Sequence, residues 1–109
     1  RLLSVEEYLR FEEQSSVKHE YVAGRVYAMA GVTLLHDAIV NNVYDVVRPR
    51  TRRAGCAVHT RDVKVGVDDR VYYPDLFVRC GSRLPPDTIV VEDPSLIVEV
   101  LSPRTRRTD

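Results

Sequence analysis

Leu96-Ile97-Val98-Glu99-Val100-Leu101 is apolar at every position but one, and the reading of the fold turns on it. Such a run suits a central strand covered on both faces. Glu99 is then an anomaly, because a carboxylate inside a buried strand is costly unless it is paired, protonated or bound to a metal. A place at the strand end beside an arginine would explain it structurally. The segment alone leaves both readings open.

A second acid upstream changes the balance. Tyr72-Tyr73-Pro74-Asp75-Leu76-Phe77-Val78 puts Asp75 at the start of another apolar strand, directly after a proline. Aspartates at strand starts often serve only as caps, so Asp75 by itself says little. If the two strands are neighbours, however, both carboxylates converge on one spot and repel each other. A divalent cation relieves that repulsion. Mg²⁺ in particular takes one or two carboxylates and fills its octahedron with waters and phosphate oxygens. The stretch between the strands, 83–94, holds Pro85, Pro86, Asp87 and Pro94 and reads as a loop, with a short strand at Ile89-Val90-Val91.

The remainder supplies the scaffold. Ser4-Val5-Glu6-Glu7 is a capping box, predicting a helix to Gln14 that buries Val5, Tyr8, Leu9 and Phe11. Residues 17–31 read as two short strands around an Ala23-Gly24 turn. Thr33 opens a helix whose stripe of Leu35, Ile39, Val43, Val46 and Val47 should face the core, and Pro49 should end it at Arg48. Extended segments follow at 56–67 and 71–80, joined by Asp68-Asp69-Arg70. In the first, Val63, Val65 and Val67 alternate with Lys64 and Gly66.

The 109 residues suit one domain spanning 1–109. Sixteen basic and sixteen acidic residues cancel, so bulk charge gives no support for nucleic-acid binding. Arginines are nevertheless clustered at Arg48, Arg50, Arg52 and Arg53, and again at Arg104, Arg106 and Arg107. Such clusters can track phosphates, although a solvated surface is the commoner explanation. No apolar run approaches the ~20 residues that span a bilayer, and no signal peptide is visible. A cytoplasmic location is therefore expected. Cys56 and Cys80 follow no metal or redox spacing and are expected to be buried thiols. The first residue is not methionine and the last falls in an unfinished basic segment, so the chain reads as a fragment.

Pro74-Asp75 followed by an acid embedded in an apolar strand resembles the signature of the PD-(D/E)xK phosphodiesterase superfamily. More closely, the chain resembles the Uma-type family of bacterial restriction-endonuclease-like proteins. That resemblance runs through the capped first helix, His19-Glu20 leading into Gly24, Gly31 with His36, Tyr73-Pro74-Asp75 and 94–103. It implies an α/β, restriction-endonuclease-like core: a mixed sheet flanked by helices, with the C-terminal part of the fold missing. It also implies a Mg²⁺- or Mn²⁺-dependent endonuclease acting on DNA, with a homodimer allowed. Asp75 and Glu99 would be catalytic metal ligands, Glu20 a third acid near the metal, and the Val100 carbonyl a further oxygen ligand.

One position departs from the superfamily pattern. Where a lysine should follow the second acid by two residues, this chain has Leu101. In the family the lysine moves onto the next helix, a few residues beyond an aspartate that Asp109 resembles. Without it the chain is expected to be weakly active or inactive, since one such electrostatic donor is commonly worth roughly 3–4 kcal/mol. Lys18 and Lys64 could substitute, with no spacing favouring either. His36 could bond near the site or touch a phosphate, His59 reads as structural, and Arg61 with Asp62 as a cross-strand pair. The rival to a nuclease is a catalytically silent nucleic-acid-binding or assembly domain that keeps the fold. A remoter one is a carboxylate-pair hydrolase acting on something else.

Overall fold

A computed structural model describes residues 1–101; the Arg104, Arg106 and Arg107 cluster and Asp109 lie outside the described residues. Helix α1 (Val5–Gln14) starts at the expected capping box. The Glu7 amide donates to Ser4 Oγ at 3.1 Å, and the Ser4 amide donates to Glu7 Oε1 at 2.9 Å. Tyr8 is fully buried, its ring 5.4 Å from that of Tyr21, and the two pack with Val71. Phe11 does not join them: it stays 48% exposed, edge-on to His19.

Strands β1 (His19–Val22) and β2 (Arg25–Ala28) form the expected hairpin. Ala23 and Gly24 both have positive φ, 49° and 90°, as a tight two-residue turn requires. A Cβ at Gly24 would also meet Leu2 Cβ at 2.9 Å, so glycine is needed there twice over.

Two sheets carry the site. The first is mixed and five-stranded, in the order β2-β1-β5-β4-β7, where β4 is Lys64–Val67, β5 is Arg70–Tyr72 and β7 is Val90–Val91. Its β4–β7 pair is parallel and the rest are antiparallel. The second is antiparallel and three-stranded, in the order β3 (Ala57–Thr60), β6 (Leu76–Arg79), β8 (Leu96–Val98). The chain passes from one sheet to the other at Tyr73-Pro74-Asp75. Pro74 has no amide to give a ladder, which suits the break. Val65, Tyr72 and Val91 from the first sheet close over Phe77 from the second, with Ile97 and Leu84 packed alongside.

Helix α2 (Leu34–Arg53) is capped by Thr33 and lies against β3 and β6. It departs from expectation in two ways. It continues through Pro49, which removes a single amide. Thr51 is buried under the extra turn, and the Ala54 amide closes on the Arg50 carbonyl at 3.1 Å. The face turned inward is also not the expected stripe. Val40 is buried, Val43 and Val47 are half-buried, and Leu35, Ile39 and Val46 are exposed. A helix with so many aliphatic positions has more than one apolar face, and the packing selects among them.

Three further expectations are overturned. The run 96–101 is not a central strand: β8 ends at Val98, lies at the edge of its sheet among the described residues, and leaves Leu96 53% exposed. Cys56 and Cys80 form a disulfide. The Ala57–Arg79 pairing sets them opposite each other at one end of the β3–β6 ladder, a proximity that their separation of 24 residues conceals. Arg61 and Asp62 do not pair together. Arg61 reaches Asp37 at 2.7 Å and Asp62 reaches Lys18 at 2.6 Å.

Candidate functional site

The break at Pro74 leaves Asp75 at the mouth of the second sheet. Leu76 pairs with Val98 in the β6–β8 ladder, so the next step along the antiparallel register sets Asp75 opposite Glu99. Backbone and side chains then interlock. The Asp75 amide donates to Glu99 Oε1 at 2.8 Å, and the Val100 amide donates to Asp75 Oδ2 at 2.7 Å. His36, in the first turn of α2, brings Nε2 to 3.0 Å from the other oxygen, Asp75 Oδ1. The fold brings Asp75, Glu99, His36 and the Val100 backbone together, but the Val100 group engaged is its amide and not the carbonyl that was expected as a ligand.

The two acids are not equivalent. Glu99 is an exposed residue rather than a buried one. Protein atoms still crowd its carboxyl, and this desolvation pushes its pKa above the ordinary value. The charge of Asp75 adds to the rise, against the Asp75 amide, Arg70 and His36, which hold it down. The two carboxylates thus face each other, with Arg70 and His36 as the neighbouring groups that favour the charged form of Glu99. A carboxylate offers about four lone-pair directions, so the hydrogen bonds already present do not exhaust either group. Two carboxylates with spare lone pairs fit a hard divalent cation that keeps part of its water shell.

Glu20 stands apart from this pair. It lies on β1, with its Oε2 3.1 Å from both Nε and Nη2 of Arg70. Among the described residues no three His, Cys, Asp or Glu side chains gather as a metal-binding group. Nor does the fold bring Arg48, Arg50, Arg52 and Arg53 to the acids: at 1.5 Å per residue they begin about 18 Å along α2 from His36. Arg48 instead bonds Tyr44, and Arg50 bonds the Val46 carbonyl.

Two groups of residues escaped the sequence reading. Arg70 looked like part of a turn, yet its guanidinium faces Glu20. Glu12 looked like one more surface glutamate of α1 and is 7% exposed. Its carboxylate accepts from the His19 amide at 2.8 Å and the Tyr73 hydroxyl at 2.7 Å, and it lies 2.9 Å from His19 Nδ1. Burial alone would raise its pKa, but the bonds from Tyr73 and His19 outweigh that and lower it. A signal was available: Val5, Tyr8, Leu9 and Glu12 fall at i, i+3, i+4 and i+7, one face of a helix. His59 packs its ring 5.1 Å from Phe77, and burial lowers its pKa, as a structural histidine should behave.

The arrangement of strands and helices is that of a restriction-endonuclease-like α/β domain. It matches the crystal structure of a protein from Anabaena variabilis described as a "putative nuclease belonging to DUF820". The TM-score is 0.78 at 20% identity, over 97% of this chain and 64% of that one. The chain belongs to the Uma2 family, described as "Putative restriction endonuclease", whose model matches residues 5–109. Two uncharacterized proteins of Synechocystis sp. are similar along nearly the whole chain. One, slr1290, is 36% identical over 98% of this chain and 57% of its own length; the other, sll1609, is 27% identical over 94% and 60%. The chain therefore spans a little over half the length of these curated relatives. No helix among the described residues is long and apolar enough to cross a membrane.

Proposed function

We propose that this domain serves a divalent-metal-dependent endonuclease that hydrolyses DNA phosphodiester bonds, with Asp75 and Glu99 holding Mg²⁺ or Mn²⁺. The observation that carries the proposal is the Asp75–Glu99 pair, two acids set opposite each other at the ends of neighbouring strands. The family description and that of the Anabaena variabilis protein support the same reaction class. A cation bound there would lower the pKa of a water and polarise a phosphoryl oxygen. The chain's own residues do the positioning. His36 and the Val100 amide fix the two Asp75 oxygens, and the Asp75 amide fixes Glu99. Glu20 is the third acid of the region, and the arginines from Arg48 to Arg53 lie at a distance where flanking phosphates of a duplex could reach them.

Thermal melting of the full-length protein with and without metal tests this reading, alongside nicking of a supercoiled plasmid. At a metal concentration of about 100 times the dissociation constant, binding should add about 2.7 kcal/mol of stability. Asp75→Asn should abolish both that gain and the nicking. Melting of the wild type that ignores millimolar Mg²⁺ and Mn²⁺ would overturn the proposal.

One observation favours the rival reading of a silent domain. Leu101, 60% exposed, occupies the position where the superfamily pattern has its lysine. Under that reading DNA binding would survive in a double variant, Asp75→Asn with Glu99→Gln, and no nicking would be seen even in the wild type.

A further inference from the structure

We propose that Arg70 is the phosphate-contacting residue of this site, exchanging its bond to Glu20 for a phosphodiester oxygen when nucleic acid binds. The proposal rests on the nuclease reading above and names the residue that recognises the backbone of the substrate.

Geometry makes the case. Arg70 and Tyr72 are two residues apart on β5 and so share a face of the sheet. Tyr21 pairs with Val71, and the same register sets Glu20 opposite Tyr72, on that face too. The Arg70 guanidinium carbon lies 3.7 Å from the centre of the Tyr72 ring, close enough for the ring face to hold the group in place. A guanidinium's donors fan out in one plane, where a phosphate can meet them two at a time. Glu20 engages Nε and Nη2 through a single oxygen, and Nη1 has no hydrogen bond among the described residues. The side chain is 46% exposed, so a ligand can reach it. Tyr72, the ring under the guanidinium, stands three residues before Asp75 where the chain leaves β5.

The other cations are worse placed. Lys18 is committed to Asp62 at 2.6 Å and to the Arg61 carbonyl at 3.2 Å. Lys64 lies over the Tyr73 ring at 5.2 Å. Because Val65 pairs with Tyr72, its neighbour Lys64 projects to the opposite face of the sheet from Arg70. Arg79 is held by Asp93 through two contacts, at 2.8 and 3.1 Å. Arg70 has a single described carboxylate partner, Glu20, the third acid that the family resemblance implies. Glu20 thereby orients the guanidinium in the free protein and is displaced by a stronger, bidentate anion.

The test is fluorescence anisotropy of a labelled DNA duplex with the full-length protein in EDTA, where no cleavage occurs, between about 50 and 200 mM salt. Arg70→Ala should weaken binding about tenfold at the lowest salt and reduce the slope of log K against log salt by about one. Arg70→Lys should keep the slope and lose part of the affinity, because it keeps the charge without the fork. Arg70→Gln, which preserves length and polarity, should lose the slope as the alanine variant does, and it serves if alanine fails to fold. Glu20→Gln should tighten binding by freeing the guanidinium. An unchanged slope in Arg70→Ala and Arg70→Gln overturns the assignment. Melting with Mg²⁺ separates the two levels. A wild type that gains stability from metal while the Arg70 variants bind DNA normally sinks this proposal alone. A wild type that responds to neither metal nor DNA sinks the nuclease reading along with it.

Discussion

Glu12 and Glu99 are both glutamates set among hydrogen-bond donors, and they have opposite fates. Glu12 is buried, yet its carboxyl is held below the ordinary range because Tyr73 and His19 supply it with donors. Glu99 is exposed, yet its carboxyl is pushed up, because protein atoms crowd it and Asp75 sits opposite. Burial therefore does not mark the functional acid. A buried carboxylate with every oxygen satisfied ties elements together: here α1, β1 and the residue just before Pro74. A carboxylate set opposite another carboxylate is the one that a cation would complete.

Removing each acid should separate the two roles. The largest effect is expected from Glu12→Ala, which strands the Tyr73 hydroxyl and the His19 amide and should cost about 3 kcal/mol in urea denaturation. A loss below about 1 kcal/mol would mean that water replaces the carboxylate and that the cluster is not a tie. Tyr73→Phe deletes one bond to the same carboxylate and should cost about 1.5 kcal/mol. It should leave the metal-induced rise in melting temperature intact; a loss of that rise would show that the two acid sites are coupled through Pro74.

The pH dependence has opposite signs at the two acids. With its folded pKa lowered, Glu12 contributes stability that is present above the ordinary value of 4.5 and lost as pH falls through the lowered one. The wild type should therefore lose stability in acid faster than Glu12→Gln, as read by melting across that range. Glu99, with its pKa raised, contributes below 4.5, and that contribution disappears as pH rises through the raised value. The smallest effect follows from this. At neutral pH and without metal, Glu99→Gln should be slightly more stable than the wild type, by less than about 1 kcal/mol because solvent screens the group. A destabilised Glu99→Gln would show that the Asp75 amide bond outweighs the repulsion.

Much of the fold was legible because its signals are local. Ser4 with Glu7, Ala23-Gly24 and Thr33 each specify conformation within a few residues, and all three appear as read. Val65 is buried in a strand as expected, but Val67 is exposed and the stretch 56–67 splits into β3 and β4 of different sheets. The site was half legible. Asp75 stood out by following Pro74, and Glu99 by interrupting an apolar run, although the reason given for Glu99 was wrong: the run is an edge strand and its acid is exposed. Arg70 and Glu12 stayed hidden because arginine in a turn and glutamate on a helix are ordinary in sequence. Only their partners, 50 and 61 residues away, set them apart.

The sequence by itself determined where both helices begin, where the first hairpin turns, and which two acids to compare. The tertiary structure decided which acid is buried, which face of α2 turns inward, and that Cys56 meets Cys80. It also set Asp75 opposite Glu99 across a gap of 24 residues and turned Arg70 towards Glu20. The division has one physical cause. Backbone preference acts within a turn or two of the chain, whereas strand register is set by side chains from distant segments packing into one core, and a shift of one residue would turn every one of these groups to the other face.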